Sequence, residues 1–546
     1  MNKTTKLKKP PLFFARPLNL IPIVASSIAV LGLWDAPAQA LKLTPIGRYK
    51  SADGVAEISA YDPVSQQLFV TNSSINTIDV LSLSNPSNPS KISAISLGNV
   101  GTVNSVAFKN GILAAAVDNV NPQANGSVLF FDKDGNLVHQ STVGAIPDMV
   151  TFTPDGRFVI VANEGEPNDD YTNDPLGSVS IIDTANNYSV TTVGFENVPI
   201  GSSVRIFGPG ATPAQDLEPE YIAVSADSSR AWITLQENNA IAILNLITGE
   251  FEEVVGLGFK DHSLPGNGLD ASDRDGKIDI KTHDKVLGMF QPDAIGAYSY
   301  NGETYLVTAN EGDARDYDGF SEEDRVRDLT LDPTAFPNAK DLQKNGNLGR
   351  LTVTNTLGDT DGDGDFDELY AFGARSFSIW DFQGNLIFDS GDAFEQITAD
   401  LLPDFFNADE DNEGLFDNRS DNKGPEPEGL VLGKIGNRTL AFIGLERIGG
   451  VMLYDVTNPF NPLFLDYVNP RDFLASSSEE AGDLAPEGLL FIDKANSPNG
   501  KPLLVVTNEV SGTTTIYEVV PEPSMILGAL TAAGFLLGNK RRKKVN

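Results

Sequence analysis

The chain has 546 residues, 40% of them hydrophobic, and a formal net charge of −36. That length exceeds one ordinary compact domain but suits one repeat array, and the charge excludes a nucleic-acid binder, whose phosphate partner demands Lys and Arg. There are no cysteines and only three histidines, His139, His262 and His283. Disulfides and thiolate sites are therefore excluded, and any metal is held mostly by oxygen, which favours calcium or magnesium.

In chain order, residues 1–40 read as a secretory signal peptide. Lys3, Lys6, Lys8, Lys9 and Arg16 form a basic start, an apolar run covers 18–34, and Ala38-Gln39-Ala40 is a small-x-small cleavage site. An uncleaved anchor helix is the other reading of the same run. Residues 41–519 read as short strands at 67–71, 77–81, 112–117, 127–131, 158–162 and 178–182. Turn signals such as Lys133-Asp134-Gly135, Pro154-Asp155-Gly156 and Asn301-Gly302 stand between them.

Two acidic phrases recur along this body. One is Pro plus an acid: Pro147-Asp148, Pro219-Glu220, Pro292-Asp293, Pro427-Glu428 and Pro486-Glu487. The other follows an apolar strand: Asn163-Glu164, Asn310-Glu311 and Asn508-Glu509, with looser copies at Gln236-Glu237 and Leu445-Glu446. A two-part unit that repeats with a strand between its parts marks a repeat architecture. Residues 147–183 show one unit: a strand at 149–152, a turn, a strand at 158–162, a loop carrying Glu164 and Glu166, and a strand at 178–182. This order resembles the blade of a YVTN-type, WD40-like β-propeller. Related units start near Ala56, Ser105, Glu220, Asp293, Glu428 and Glu487, so the expected fold is all-β, an about seven-bladed β-propeller with acidic loop insertions. Two β-sandwiches are the weaker alternative, because one phrase recurs along the whole body.

Several insertions carry chemistry of their own. Asp270-Ala-Ser-Asp273-Arg-Asp275-Gly-Lys-Ile-Asp279 alternates acids, so Asp273, Asp275 and Asp279 are candidate calcium ligands, although Arg274 and Lys277 oppose a cation. His262 and His283 flank it and are candidate ligands or ordinary side chains. Ser321 followed by Asp324 predicts a short capped helix to Leu329. The segment from Asp359 to Glu368 is the best metal motif. Asp359, Asp361, Asp363 and Asp367 occupy positions 1, 3, 5 and 9 of a calcium loop, with Gly364 at 6 and Asp365 between. Position 12 is Tyr370, so Glu368 or a distant residue supplies the late ligand; an acidic turn without an ion is the alternative. Residues 366–388 read as outer strands of the blade opened at Asp293, and the acidic stretch 400–422 as a disordered or metal-ordered insertion. Ser376 has Arg375 beside it, but strand packing explains it as well. No nucleophile elbow or phosphate loop appears.

Residues 520–546 hold Pro521-Glu522-Pro523, an apolar run over 525–537 and the basic cluster from Lys540 to Lys544. This tail resembles the PEP-CTERM sorting signal. The resemblance implies cleavage by an exosortase, with the membrane met only through this transient segment. A plain anchor helix would also place the body outside the cytoplasm.

In a propeller the first strand of each blade lines the central channel, so Asp148, Glu220, Asp293, Glu428 and Glu487 are expected at one mouth. Glu164, Glu237, Glu311, Glu446 and Glu509 end second strands and are expected near the same face. Converging carboxylates repel unless a cation joins them, and Arg447 beside Glu446 and Arg315 beside Asp313 are candidate partners. Acids that merely cap turns are the competing reading.

Three further stretches, from Ala309 to Tyr317, from Phe372 to Trp380 and from Gly424 to Gly429, make the body similar to the choice-of-anchor I family, related to mesenchyme-specific cell surface glycoproteins. The resemblance implies a secreted propeller with varied C-terminal anchors and supplies no secure catalytic residue. The expectation is an exported, cell-surface, outer-envelope or matrix protein that binds calcium and an extracellular ligand: an exopolysaccharide, a mineral, a protein or a cationic surface. The alternative is a calcium-dependent phosphoesterase of alkaline phosphatase or phytase type, with Glu164, Glu311 and Asp293 as candidate catalytic residues at the channel mouth. Processing partners are signal peptidase and the exosortase.

Overall fold

Strand after strand in this chain is apolar on both faces, as in Phe158–Asn163, where only the first residue is not fully buried. Side chains alternate across a strand, so such a strand must be covered on both sides. The structure, a computed structural model, describes residues 41–52, 54–410 and 415–521, and shows how the cover is provided. The signal-peptide reading, and the sorting-tail reading beyond Pro521, lie outside the described residues.

Seven four-stranded antiparallel sheets follow one another. Blade 1 holds Ser59–Asp62, Gln67–Asn72, Thr77–Ser82 and Ser90–Ser96. Blade 2 holds Val103–Lys109, Ile112–Val117, Asn125–Asp132 and Leu137–Ala145. Blade 3 is Pro147–Phe152, Phe158–Asn163, Ser178–Asp183 and Ser189–Gly194. Blade 4 is Ile222–Val224, Arg230–Leu235, Ala240–Asn245 and Glu250–Gly256. Blade 5 joins Ile295–Tyr300 and Glu303–Asn310 to Ser376–Asp381 and Leu386–Asp389 across a long insertion. Blade 6 is Pro427–Ile435, Arg438–Leu445, Val451–Asp455 and Leu463–Val468. Blade 7 takes Pro486–Ile492, Leu503–Asn508 and Thr513–Pro521, and borrows Leu41–Lys50 as its outermost strand.

A separate apolar cluster fills each gap between neighbouring blades, including the gap between blade 7 and blade 1, where Leu503 and Val505 share a cluster with Leu68 and Val70. The ring is therefore closed, and the fold is a β-propeller. In Phe158–Asn163, Val159 and Val161 face blade 2, while Ile160 and Ala162 face blade 4. First strands pack tightly where glycine allows it. A Cβ on Gly433 would stand 2.6 Å from the Phe491 ring of the next blade. Gly433→Ala should cost about 1–3 kcal/mol of stability by overpacking, read as a lower urea midpoint.

The insertion in blade 5, with the segment before it, builds a five-stranded sheet. Its members in order are Phe259–Asp261, Val286–Met289, Leu369–Ala371, Thr352–Thr354 and Glu323–Arg325. Three expectations change here. The helix expected from Ser321 is instead strand Phe320–Ser321, strand Glu323–Arg325 and a single turn Val326–Asp328, because Glu323–Arg325 pairs with Thr352–Thr354. Of 366–388, Ser376–Asp381 and Leu386–Asp389 are outer strands of blade 5, but Leu369–Ala371 belongs to the inserted sheet. The described residues of the stretch 400–422 are held by protein contacts. Helix Ala393–Leu401 leads into it, Phe406 and Ala408 are buried, and Asn407 donates to Glu395 at 3.0 Å and Ser420 at 2.9 Å.

Candidate functional site

The two acidic phrases meet because one backbone device ties them. The residue before the Pro-acid phrase is left-handed in four blades: Ile146, Gln291, Glu426 and Ala485, with φ of 47°, 42°, 49° and 55°. Such values are strained for a residue with a side chain. Three of the carbonyls so turned accept the N–H of the acid that ends the second strand: Ile146 from Glu164, Glu426 from Glu446 and Ala485 from Glu509, each at 2.8 Å. In blade 5 the Gln291 carbonyl takes the N–H of Gly312 at 3.1 Å instead. The Asn of the second phrase has a different task. Asn163 donates to Ser180 at 3.0 Å, Asn310 to Ser378 at 2.8 Å and Asn508 to Thr513 at 3.1 Å, locking the second strand to the third. Asn is buried for the fold; the acid beside it is left for the channel.

The first strands start with Asp148, Glu220, Asp293, Glu428 and Glu487, and the same register position in blades 1 and 2 is Glu57 and Asn104. Glu57 lacks the preceding Pro, so the sequence phrase did not find it. Among the described residues no Lys, Arg or His comes within 4.0 Å of the six carboxylates. Burial, then the neighbouring acids, pushes them up. Glu57 rises to about 7, with Glu509 adding to burial, and Asp148 to about 7, with Asp118, Glu166 and Glu57 adding. Glu220, Asp293, Glu428 and Glu487 are held well above the carboxylate range by burial and by acids of other blades. Glu220 is raised by Glu237, Glu164, Asp293 and Asp148, so blades 3, 4 and 5 present their acids to one another. Glu164 is raised likewise by burial and by Glu166, Asp148, Glu237 and Glu218. One oxygen each of Glu218, Glu220, Glu237, Glu428 and Glu487 is buried without a hydrogen-bond partner.

One side of the mouth differs. Oxygens of Glu311, Glu426 and Glu446 lie within 4.8 Å of one another. Cations already fill this cluster. Lys423 Nζ lies 2.9 Å from Glu311 and 3.3 Å from Glu426, Arg419 lies 2.6 Å from Glu426, and Arg447 lies 3.0 Å from Glu426 and 3.2 Å from Glu446. The three cations hold Glu426 down to about 2 despite its burial. Arg447 thus pairs with Glu446 as its place in the sequence suggested, and the charges of this cluster are balanced within the chain.

Several other candidates are reassigned. Arg315 does not serve Asp313. It is buried on Asp216 and Glu218, with Nη2 2.7 Å from Glu218. Glu166 instead accepts the Tyr317 hydroxyl at 3.0 Å. The acids of the 270–279 loop carry their own cations: Asp273 pairs with Arg350 at 2.9 Å and Arg274 at 3.0 Å, Asp275 with Lys277 at 3.6 Å, and Asp279 with Lys277 at 2.8 Å and Lys281 at 2.6 Å. That loop is an ion-pair network, not a calcium cradle. His262 and His283 are buried on the backbone carbonyls of Asn267 and Leu269, and burial lowers His283 to about 4. Ser376 is fully buried and donates to Asp389 at 2.6 Å within its blade.

In the loop from Asp359, oxygens of Asp359, Asp361 and Asp367 come within 4.8 Å, as do those of Asp332, Asp365 and Asp367. Backbone N–H groups of Gly362 and Gly364 already point at Asp359, at 2.7 and 3.0 Å, which folds the loop around its carboxylates. Glu368 is turned away and accepts the Tyr370 hydroxyl at 2.8 Å. Asp332, distant in sequence, is the acid that joins Asp365 and Asp367; Asp363 accepts the N–H of Asp365 at 3.2 Å.

Fold and site together define a β-propeller with a carboxylate-lined channel mouth and one acidic surface loop. The chain belongs to the choice-of-anchor I domain family, whose model matches residues 57–459. Among curated relatives it is 32% identical over 190 residues to Gigasin-3a of Magallana gigas, covering 33% of this chain and 66% of that protein. It is 27% identical over 355 residues to the mesenchyme-specific cell surface glycoprotein of Strongylocentrotus purpuratus, covering 58% of this chain and 42% of that protein. The chain thus spans just under two thirds of the first and under half of the second. Among solved structures it is similar to the hydrazine synthase of Kuenenia stuttgartiensis, at TM-score 0.45 and 13% identity, covering 87% of this chain and 98% of that one. It is also similar to the β-propeller domain of Swd1 from Myceliophteria thermophila, at TM-score 0.43 and 9% identity, covering 88% and 100%.

Proposed function

We propose that this is an exported, surface- or matrix-associated propeller that binds calcium and, through it, an extracellular ligand such as a polysaccharide, a mineral or another protein. The observation that carries the reading is the ring of buried carboxylates without cations, several with an unpartnered oxygen. Ionised together they repel one another, and a hard divalent cation is the partner that oxygen-only sites select. The name of the Strongylocentrotus purpuratus relative, a cell surface glycoprotein, supports the placement. The loop from Asp359 offers a second, solvent-facing site, where bound calcium would keep open positions for a ligand's own oxygens. Asp361 is raised chiefly by Asp363, the repulsion that a cation relieves.

Calorimetric titration of chelated protein with calcium tests this. Binding is expected in two classes. Asp367→Asn, which touches both acid sets of the loop, should weaken one class about tenfold or more and leave the other. Glu428→Gln with Glu487→Gln should weaken only the other. No calcium heat from folded protein at neutral pH would end the proposal.

A further inference from the structure

The channel is not filled beyond the acid ring. A cavity of about 890 Å³ runs along the first strands of blades 7, 1, 2 and 3. It lies within the size range of small-molecule sites. Its walls mix apolar side chains, with Ile58, Met149, Tyr221, Leu489 and Phe491 among them, and polar ones, including Asp62, Lys109 and Lys133. At one end it reaches the hairpin turns between first and second strands, at Val64, Asn110 and Gly111, and Val64 is 90% exposed there, so this end opens to solvent. The other end stops at the residues next to the acids. Ile58, Met149, Tyr221 and Gly488 line it, and each directly follows an acid of the ring: Glu57, Asp148, Glu220 and Glu487. Tyr221 marks the junction: its phenol is raised by burial first and then by the charges of Asp293, Asp148 and Glu487.

A partly apolar tube whose inner end lies beside uncompensated carboxylates has a defined complement. We propose that this lumen binds an amphipathic organic cation, a protonated amine on an apolar chain, entering from the hairpin end with its ammonium at Asp148, Glu220 and Glu487. Glu220 is only 6% exposed and one of its oxygens has no partner, so a donor is wanted there. A hydrated metal ion gains nothing from walls such as Met149 and Phe491, whereas an alkyl chain is desolvated on them. The Tyr221 ring adds a face on which an ammonium can rest. The inference does not rest on calcium binding, but the two cations would share carboxylates, so calcium should weaken the amine.

The test is calorimetry on the full chain in chelator at about pH 8, where the amine is still charged, with n-hexylamine and hexan-1-ol as probes. Hexylamine should bind at least tenfold more tightly than the alcohol. Glu220→Gln with Glu487→Gln should cost tenfold or more, since the shape is kept and the charge is lost. Met149→Trp should abolish binding by filling the lumen while the acids remain, and Ser59→Phe does the same from another wall if the first variant melts early. Equal affinity for alcohol and amine overturns the proposal, as does an unchanged amine affinity in the Gln pair or in a folded lumen-filling variant. Because calcium is absent from the titration, a failure of the calcium reading leaves the result intact.

Discussion

In chelator, raising the pH from about 5 to about 8 should lower the melting temperature by several degrees, and calcium should restore the loss at the higher pH only. The ring acids set the sign. Glu57 and Glu237 move from a reference of 4.5 to about 7 in the folded chain, and Asp148 from 3.8 to about 7. Between the reference and the folded value, the folded state keeps a proton that the unfolded state has released. Stability therefore falls as pH rises through that window, by about 1.4 kcal/mol per pH unit for each such group while the difference lasts. Above about 7 these three are ionised in both states and their part of the penalty is complete. Glu426, held down to about 2, contributes the opposite dependence only at more acid pH, whereas His262 and His283, lowered by burial from 6.5, oppose the acids inside the window but are outnumbered by them. Calcium binds the ionised carboxylates, so it stabilises where they are ionised and has no purchase where they hold protons. Differential scanning calorimetry at the two pH values, with and without calcium, checks this. A melting temperature that rises with pH in chelator would contradict the buried ring.

Arg315→Met should cost about 3–5 kcal/mol, the second large effect. The guanidinium is 2% exposed, and Asp216 and Glu218 beneath it are each 1% exposed. It donates to the Asp216 carboxylate, to Glu218 at 3.1 Å from Nε and to the Asp216 carbonyl at 2.8 Å, with the Phe207 ring 4.6 Å away. Methionine fills the space but leaves two buried carboxylates without a cation. Glu218 would then add its full charge to the field of Glu237 and Glu166, which already raise it. Asp216→Asn with Glu218→Gln should recover most of the loss in the Arg315→Met background, since the amides need no counter-charge. Urea unfolding of the three proteins measures it, and a loss below about 1 kcal/mol would mean that water has entered the pair.

What the sequence could show was what repeats. The Pro-acid and Asn-Glu phrases recur because the same left-handed residue and the same interstrand hydrogen bond recur, so they located first and second strands correctly. Blade 1 has Ala56-Glu57 and blade 2 has Val103-Asn104 at that position, which removed the signal without removing the strand. Long-range partners were beyond reach. Nothing local tells that Lys423 will meet Glu311, or that Val286–Met289 pairs in parallel with Leu369–Ala371. The capping pattern at Ser321 was a true local preference, overruled by pairing with Thr352–Thr354. In the loop from Asp359 the spacing located three acids that do approach, whereas Asp332 comes from another turn of the chain and Glu368 was taken by Tyr370.

The borrowed outer strand of blade 7 sets an order of events. Leu41 pairs with Pro521 and Lys50 with Thr513, and Arg48 Nε donates to Thr515, 467 residues away in sequence, at 3.3 Å. No shorter stretch of chain can close the circle, because the last blade lacks its rim until both extremities are present. Partners so far apart in sequence make closure a late and slow step in folding. A chain whose last strand has not yet formed therefore stays open and extensible, and gains its full rigidity only once that strand has met the first.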